Sequence, residues 1–131
     1  SQLKKINIFV KKRKEIAKCY DKAFENVNNI IIPPVSKYSS HSYHLYPIQI
    51  DFEKINSNKK SFFEYMKKKK IILQNHYLPI YRHSYYRKKF DLKKFPVSEN
   101  FYKKQVSIPI YYKLKKKEIL RVSSLIKDFV K

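Results

Sequence analysis

The sequence predicts an α+β fold: a small three- to four-stranded sheet with helices packed on one face. Three observations predict it. Residues Leu45–Ile50 alternate with period two, both ends of the chain carry apolar residues at helical spacing, and short apolar runs at 71–74 and 106–110 are separated by further helical segments. The length, 131 residues, fits a single domain spanning residues 1–131.

In chain order, Leu3, Ile6, Val10, Ala17, Tyr20 and Phe24 form one stripe of a long helix, flanked by Phe9, Ile16 and Ala23. Lys4, Lys11, Lys12, Lys14, Lys18 and Lys22 lie opposite. Arg13 falls on the apolar stripe and reads as a snorkelling stem. Asn26, Asn28 and Asn29 end the helix, and Ile30–Ile32 is a short extended piece stopped by Pro33 and Pro34. In the next strand Leu45, Pro47 and Gln49 point one way and Tyr46, Ile48 and Ile50 the other. Pro47 cannot donate to a ladder, which assigns it to an edge or a bulge. His41, Tyr43, His44 and Tyr46 crowd the strand's entry, where polar side chains can face a cleft.

Asp51–Asn58 is a connector, with Ser57 or Asn58 as N-cap of a helix through Phe62, Phe63 and Met66. Lys67–Lys70 suit the negative end of that helix. Ile71–Gln74 reads as a second strand, leading through Asn75–Tyr81 into a long irregular stretch that ends at Phe95. A helix starts near Pro96, Val106–Ile110 is a strand, and Lys115–Lys131 is a helix packing Ile119, Val122, Leu125, Ile126 and Phe129.

Composition narrows the function. The net charge of +21 invites a nucleic-acid reading, but only Arg13, Arg82, Arg87 and Arg121 are arginine, and the other basic residues are lysines. Base-edge recognition leans on the planar guanidinium fork. Glycine is absent while Lys, Ile, Asn, Tyr and Phe abound, a profile that A+T-rich coding would produce. Nucleic-acid binding is therefore expected to be nonspecific, with a lysine-rich binding module as the alternative to an enzyme. One cysteine, Cys19, suits a reducing compartment. No apolar run approaches the ~20 residues of a membrane span, and the N-terminus lacks a signal-peptide core. A cytoplasmic location without membrane attachment is expected. His41, His44, His76 and His83 lack zinc-ligand spacing, and Cys19 has no evident histidine partner. No metal ligand is assigned.

Several motifs, in order, carry a family resemblance. Arg13-Lys-Glu-Ile-Ala-Lys-Cys-Tyr20 resembles an RxxIAxxY helix, and His41-Ser-Tyr-His-Leu-Tyr-Pro-Ile48 a YHLYPI strand. Gln74-Asn-His-Tyr-Leu-Pro-Ile-Tyr81 resembles QxHYxPxH, with Tyr81 in place of the second histidine. Phe95-Pro-Val-Ser-Glu99 resembles FPxAE, and Val106-Ser-Ile-Pro109 resembles LSLP. Together they are similar to the C-terminal small domain of DegT/StrS sugar aminotransferases, nearest in flavour to those that aminate UDP-linked 4-keto-6-deoxy sugars, the UDP-4-amino-4,6-dideoxy-sugar transaminases of the pseudaminic acid pathway. Lys70 stands where that family usually has glycine.

The resemblance implies the C-terminal part of an enzyme using pyridoxal phosphate on a nucleotide-linked keto-deoxy sugar, for cell-surface glycans. It implies a PLP-binding large domain, in the parent chain or a partner polypeptide, and a homodimer for the complete enzyme. That large domain holds the Schiff-base lysine and phosphate cup, so no catalytic or cofactor-binding residue is assigned here and the chain alone is not expected to be active. An inert relic of the enzyme is a further alternative. Substrate contact is assigned to His76, Tyr77 and Arg82, joined by His44 and Tyr46 if their strand adjoins Gln74. His76 or Tyr77 would orient the sugar while Arg82 helps hold the diphosphate.

Overall fold

The computed structural model describes residues 1–89 and 94–131. Its elements are α1 (Ile6–Phe24), β1 (Ile30–Ile31), β2 (Tyr46–Ile50), α2 (Lys59–Lys68), α3 (Ser84–Arg87), α4 (Pro96–Lys104), β3 (Gln105–Ile108) and α5 (Lys116–Val130). Short 3-10 turns occupy Gln2–Lys5 and Ile80–Arg82. The stretch expected to be irregular up to Phe95 thus contains a turn and α3; its residues 90–93 lie outside the described residues.

The strands form an antiparallel sheet in the order β1-β2-β3. The alternation in β2 holds: Tyr46, Ile48 and Ile50 are fully buried. Ile108 and Val106 of β3 pair with Tyr46 and Ile48 and share their face. Against it pack Ile16, Ala17, Tyr20 and Phe24 of α1, Phe62 and Met66 of α2, and Ile119, Val122, Ile126 and Val130 of α5. Leu3 and Ile6, at the other end of the predicted stripe, stay exposed, as does Ile8 beside them.

Two expectations need correction. Pro47 lies in the middle strand rather than in an edge strand or bulge. Its partner Ser107 directs both backbone groups away from β2, donating to Gln74 O at 2.8 Å and accepting from Gln74 N at 3.1 Å. The Pro47–Ser107 pair is therefore a non-hydrogen-bonded one. The missing N–H faces the side where β1 has already ended. Residues 71–74 are not a strand but make one isolated bridge, Gln74 to Ser107. The next hydrogen-bonded pair in that register would be Ile72 with Pro109, which has no N–H to give.

Local chemistry sets the helix ends. Asn58 caps α2, its side chain accepting from Ser61 N at 2.9 Å, and Pro96 opens α4. The Lys115 N–H donates to the Glu118 carboxylate at 2.7 Å in the first turn of α5. At the other end of α2, Ile71 N reaches Met66 O and Lys70 N reaches Lys67 O, both at 2.9 Å. This is a Schellman closure, with buried Ile71 and Met66 as its apolar clasp. Its left-handed residue is Lys70, at φ 60°. The turn has kept the geometry glycine would adopt, at a cost of about 1 kcal/mol. Lys70→Gly should therefore raise stability by about 1 kcal/mol, read as a higher urea midpoint at unchanged slope. An unchanged or lower midpoint would show that the lysine carries no such strain.

Candidate functional site

A cleft of about 570 Å³ opens between the N-terminal part of α1 and the exit of β3. Phe9 and Arg13 come from α1, His44 and Leu45 precede β2, and Gln74 and His76 come from the bridge segment. Ser107 through Tyr112 form the far wall, where the Phe9 and Tyr112 rings pack tilted by 38° with centres 4.3 Å apart. Among the described residues, no lysine, aspartate or glutamate lines it.

His76 is the best-positioned group. Its Nδ1 lies 2.9 Å from Ser107 Oγ, which also accepts from Gln105 Nε2 at 2.9 Å. Gln105 and Ser107 are buried on the face of β3 opposite the core, so this network holds the imidazole by one nitrogen. Tyr77, 73% exposed, follows it. His76 also borders a second hollow of about 390 Å³, shared with Tyr77, Pro79 and residues of α4. His44 is exposed and reaches the first cleft although its strand adjoins β3 and not Gln74.

Two of the predicted site residues are placed otherwise. Tyr46 is fully buried and donates to Asp21 Oδ1 at 2.5 Å. Burial and this bond push its hydroxyl far above the usual tyrosine range. The period-two pattern that makes Tyr46 aromatic and inward is also what removes it from the cleft. Arg82 neither enters the cleft nor hangs in solvent. Its Nε donates to Glu99 Oε1 at 2.8 Å, its Nη2 bonds the other carboxylate oxygen, and its guanidinium lies over the Tyr102 ring. The guanidinium holds the Glu99 carboxyl below the usual range. A charge neutralised this way is a poor diphosphate ligand. The sequence reading missed Arg13, Gln74, Ser107, Tyr111 and Tyr112 as cleft residues. A guanidinium on the apolar stripe of a lysine-dominated chain was the available signal for Arg13.

The lining does not suit pyridoxal phosphate by itself. A Schiff base needs a lysine and the pyridine nitrogen a carboxylate partner, and the described lining presents neither. Among the described residues, no three His, Cys, Asp or Glu side chains gather as metal ligands. No described helix is long and apolar enough to cross a membrane.

A small antiparallel sheet backed by helices, with a cleft lined by polar and aromatic groups, defines the class of fold. Sequence comparison places it. The profile of the DegT/DnrJ/EryC1/StrS aminotransferase family matches residues 1–127, and the chain belongs to that family. It is 39% identical over 98% of its length to an uncharacterised protein of Methanocaldococcus jannaschii, of which it covers 34%. It is 36% identical over 90% of its length to the UDP-4-amino-4,6-dideoxy-N-acetyl-beta-L-altrosamine transaminase of Campylobacter jejuni, of which it covers 31%. The crystal structure of Helicobacter pylori PseC, an aminotransferase of pseudaminic acid biosynthesis, superposes with a TM-score of 0.89 at 30% identity, over 99% of this chain and 35% of that one. The chain spans about a third of the length of these relatives.

Lys59 sits behind the second hollow and gives the fold a pH signature. Its ammonium donates to Asn75 Oδ1 at 2.8 Å and Tyr102 O at 2.7 Å and lies over the Tyr102 ring. Burial pulls its pKa down from 10.5 to about 8. Between those values the unfolded chain binds more protons than the folded one, so stability rises with pH from about 8 upward. Tyr20 and Tyr46 act oppositely. Burial raises both above 10, so stability falls once unfolded tyrosines ionise. The urea midpoint should therefore rise from pH 8 towards 10 and then decline, and Lys59→Met should abolish the rise. A midpoint flat across that interval in the parent chain would contradict the burial cost at Lys59.

Proposed function

We propose that this chain is the C-terminal, substrate-side part of a pyridoxal-phosphate-dependent aminotransferase acting on a nucleotide-linked keto-deoxy sugar in cytoplasmic synthesis of cell-surface glycans. The observation that carries the reading is His76. It occupies the histidine of the QxHYxPxH motif, is fixed through Nδ1 by Ser107, and stands where two hollows meet beside exposed Tyr77. A ring held on one side presents its other nitrogen to a ligand hydroxyl or carbonyl. The pseudaminic acid branch is favoured by the names of the relatives above.

In this reading the chain's residues bind and orient. Pyridoxal phosphate, when bound by the large domain, supplies the chemistry of amino transfer; that domain contributes the lysine and carboxylate that the cleft lacks, and the complete enzyme is a homodimer. His76 orients the sugar, Tyr77 covers one side of it, and His44 borders the neighbouring cleft. Arg82 braces α4 through Glu99 rather than touching substrate. Without the large domain the chain has no amino-transfer activity.

Variants of the enzyme completed with the large domain test this assignment. His76→Ala should weaken nucleotide-sugar binding by ~1–3 kcal/mol, the range for a lost or orphaned polar contact, with little change in melting temperature. Arg82→Ala should instead lower the melting temperature, because Glu99 loses its partner, and leave affinity intact. Unchanged affinity and turnover in both His76→Ala and Tyr77→Phe would remove the substrate role and leave only family membership.

A further inference from the structure

The first cleft is lined by an arginine, Arg13, whose Nε has no hydrogen-bond partner among the described residues. Arg13 emerges from the apolar side of α1, one turn before Ile16 and Ala17 enter the core, and lines the cleft with Phe9. Its Nε is buried and has no hydrogen-bond partner among the described residues. The contrast with other arginines is direct: Arg82 is engaged by Glu99, and Arg121 donates to Lys69 O at 2.7 Å. Among the described residues, no carboxylate lines the cleft to neutralise Arg13. A buried N–H of a charged group left unpaired is destabilising, so a guanidinium kept in that state at the wall of a cleft favours an acceptor there.

The surroundings match an anion. His44, Gln74, His76 and Tyr111 line the same hollow as further polar groups. Its volume, about 570 Å³, falls within the ordinary range for small-ligand sites. We propose that this cleft binds the oxyanion group of a small ligand, phosphoryl or carboxylate, in the planar fork of Arg13. The fork meets either group with two parallel bonds, which a lysine cannot do. The many surface lysines draw anions toward the protein without selecting among them, and salt screens that attraction. Arg13 is partly enclosed and keeps its hold at physiological ionic strength. Placed within the aminotransferase reading, on which its biological ligand depends, Arg13 takes the role first assigned to Arg82: it holds either the diphosphate of the nucleotide sugar or a carboxylate of the amino donor.

Calorimetric titration of the 131-residue chain at physiological salt tests the site, with uridine diphosphate as the phosphoryl probe and glutarate as the carboxylate probe. At least one should saturate a single site, and which one identifies the oxyanion. Arg13→Gln should weaken that binding by about tenfold or more. Arg13→Lys should fall between, and Lys60→Gln, on the exposed face of α2, should match the parent. Because the guanidinium is unpaired without ligand, Arg13→Gln should also melt no lower than the parent when ligand-free. The proposal is overturned if neither probe saturates, if Arg13→Gln binds as well as the parent, or if Lys60→Gln loses as much. Unfolding of Arg13→Gln would overturn it as well, by showing that the fold itself needs the guanidinium. These titrations contain no large domain, so their failure leaves the His76 assignment standing, and failure of that assignment leaves the anion site standing.

Discussion

Pro47 can occupy the middle of the sheet only because Ser107, opposite it, turns both backbone groups toward Gln74. Antiparallel ladders alternate bonded and non-bonded pairs, and a proline fits only where no N–H is asked for. A slip of one residue would put Pro47 at a bonded pair and turn Tyr46, Ile48 and Ile50 out of the core together. The register is therefore set twice, by the missing donor and by the buried face. Everything near the cleft follows from it. With Val106 and Ile108 committed to the core, Gln105 and Ser107 must face the other way, where they receive His76. The residue that tolerates the proline also holds the histidine.

Charge is organised on two levels. Lysines coat the surface and supply most of the +21 excess, a field that attracts anions and is largely screened in salt. The arginines are used individually. One braces α4 against the segment before α3, one closes a carbonyl at the end of α2, and one lines a hollow with its Nε unpartnered among the described residues. Lysine gives long-range attraction, and the planar guanidinium gives geometry. A composition that argues against base-specific nucleic-acid recognition is compatible with a compact site for a small anion.

Much of the fold was legible because it rests on local period. The alternation of β2, the stripe of α5, the Asn58 cap and the Pro96 helix start are all short-range signals, and each appears where the residues placed it. The strand expected at residues 71–74 failed for a non-local reason: its would-be partner Pro109, more than thirty residues away, cannot continue the ladder. The site was legible only in part for the same reason. His44 and His76 could be picked by residue type and motif, but Tyr46 carries the same aromatic signal and is buried beside Asp21. Glu99's claim on Arg82, and the lack of a partner for Arg13 Nε among the described residues, depend on how α4 and α1 lie in space. Side-chain availability is a property of the neighbours.

The central claim is that this chain supplies the substrate wall and another domain the reactive groups. The most direct measurement adds pyridoxal phosphate to the chain alone and to the chain with the family's large domain, followed by borohydride trapping, peptide mapping and an amino-transfer assay. The account predicts scattered, weak labelling of surface lysines and no turnover for the chain alone, with one stoichiometric adduct on the large domain and turnover when the two are combined. A single stoichiometric adduct on a lysine of this chain, accompanied by amino transfer in the absence of the large domain, would contradict it.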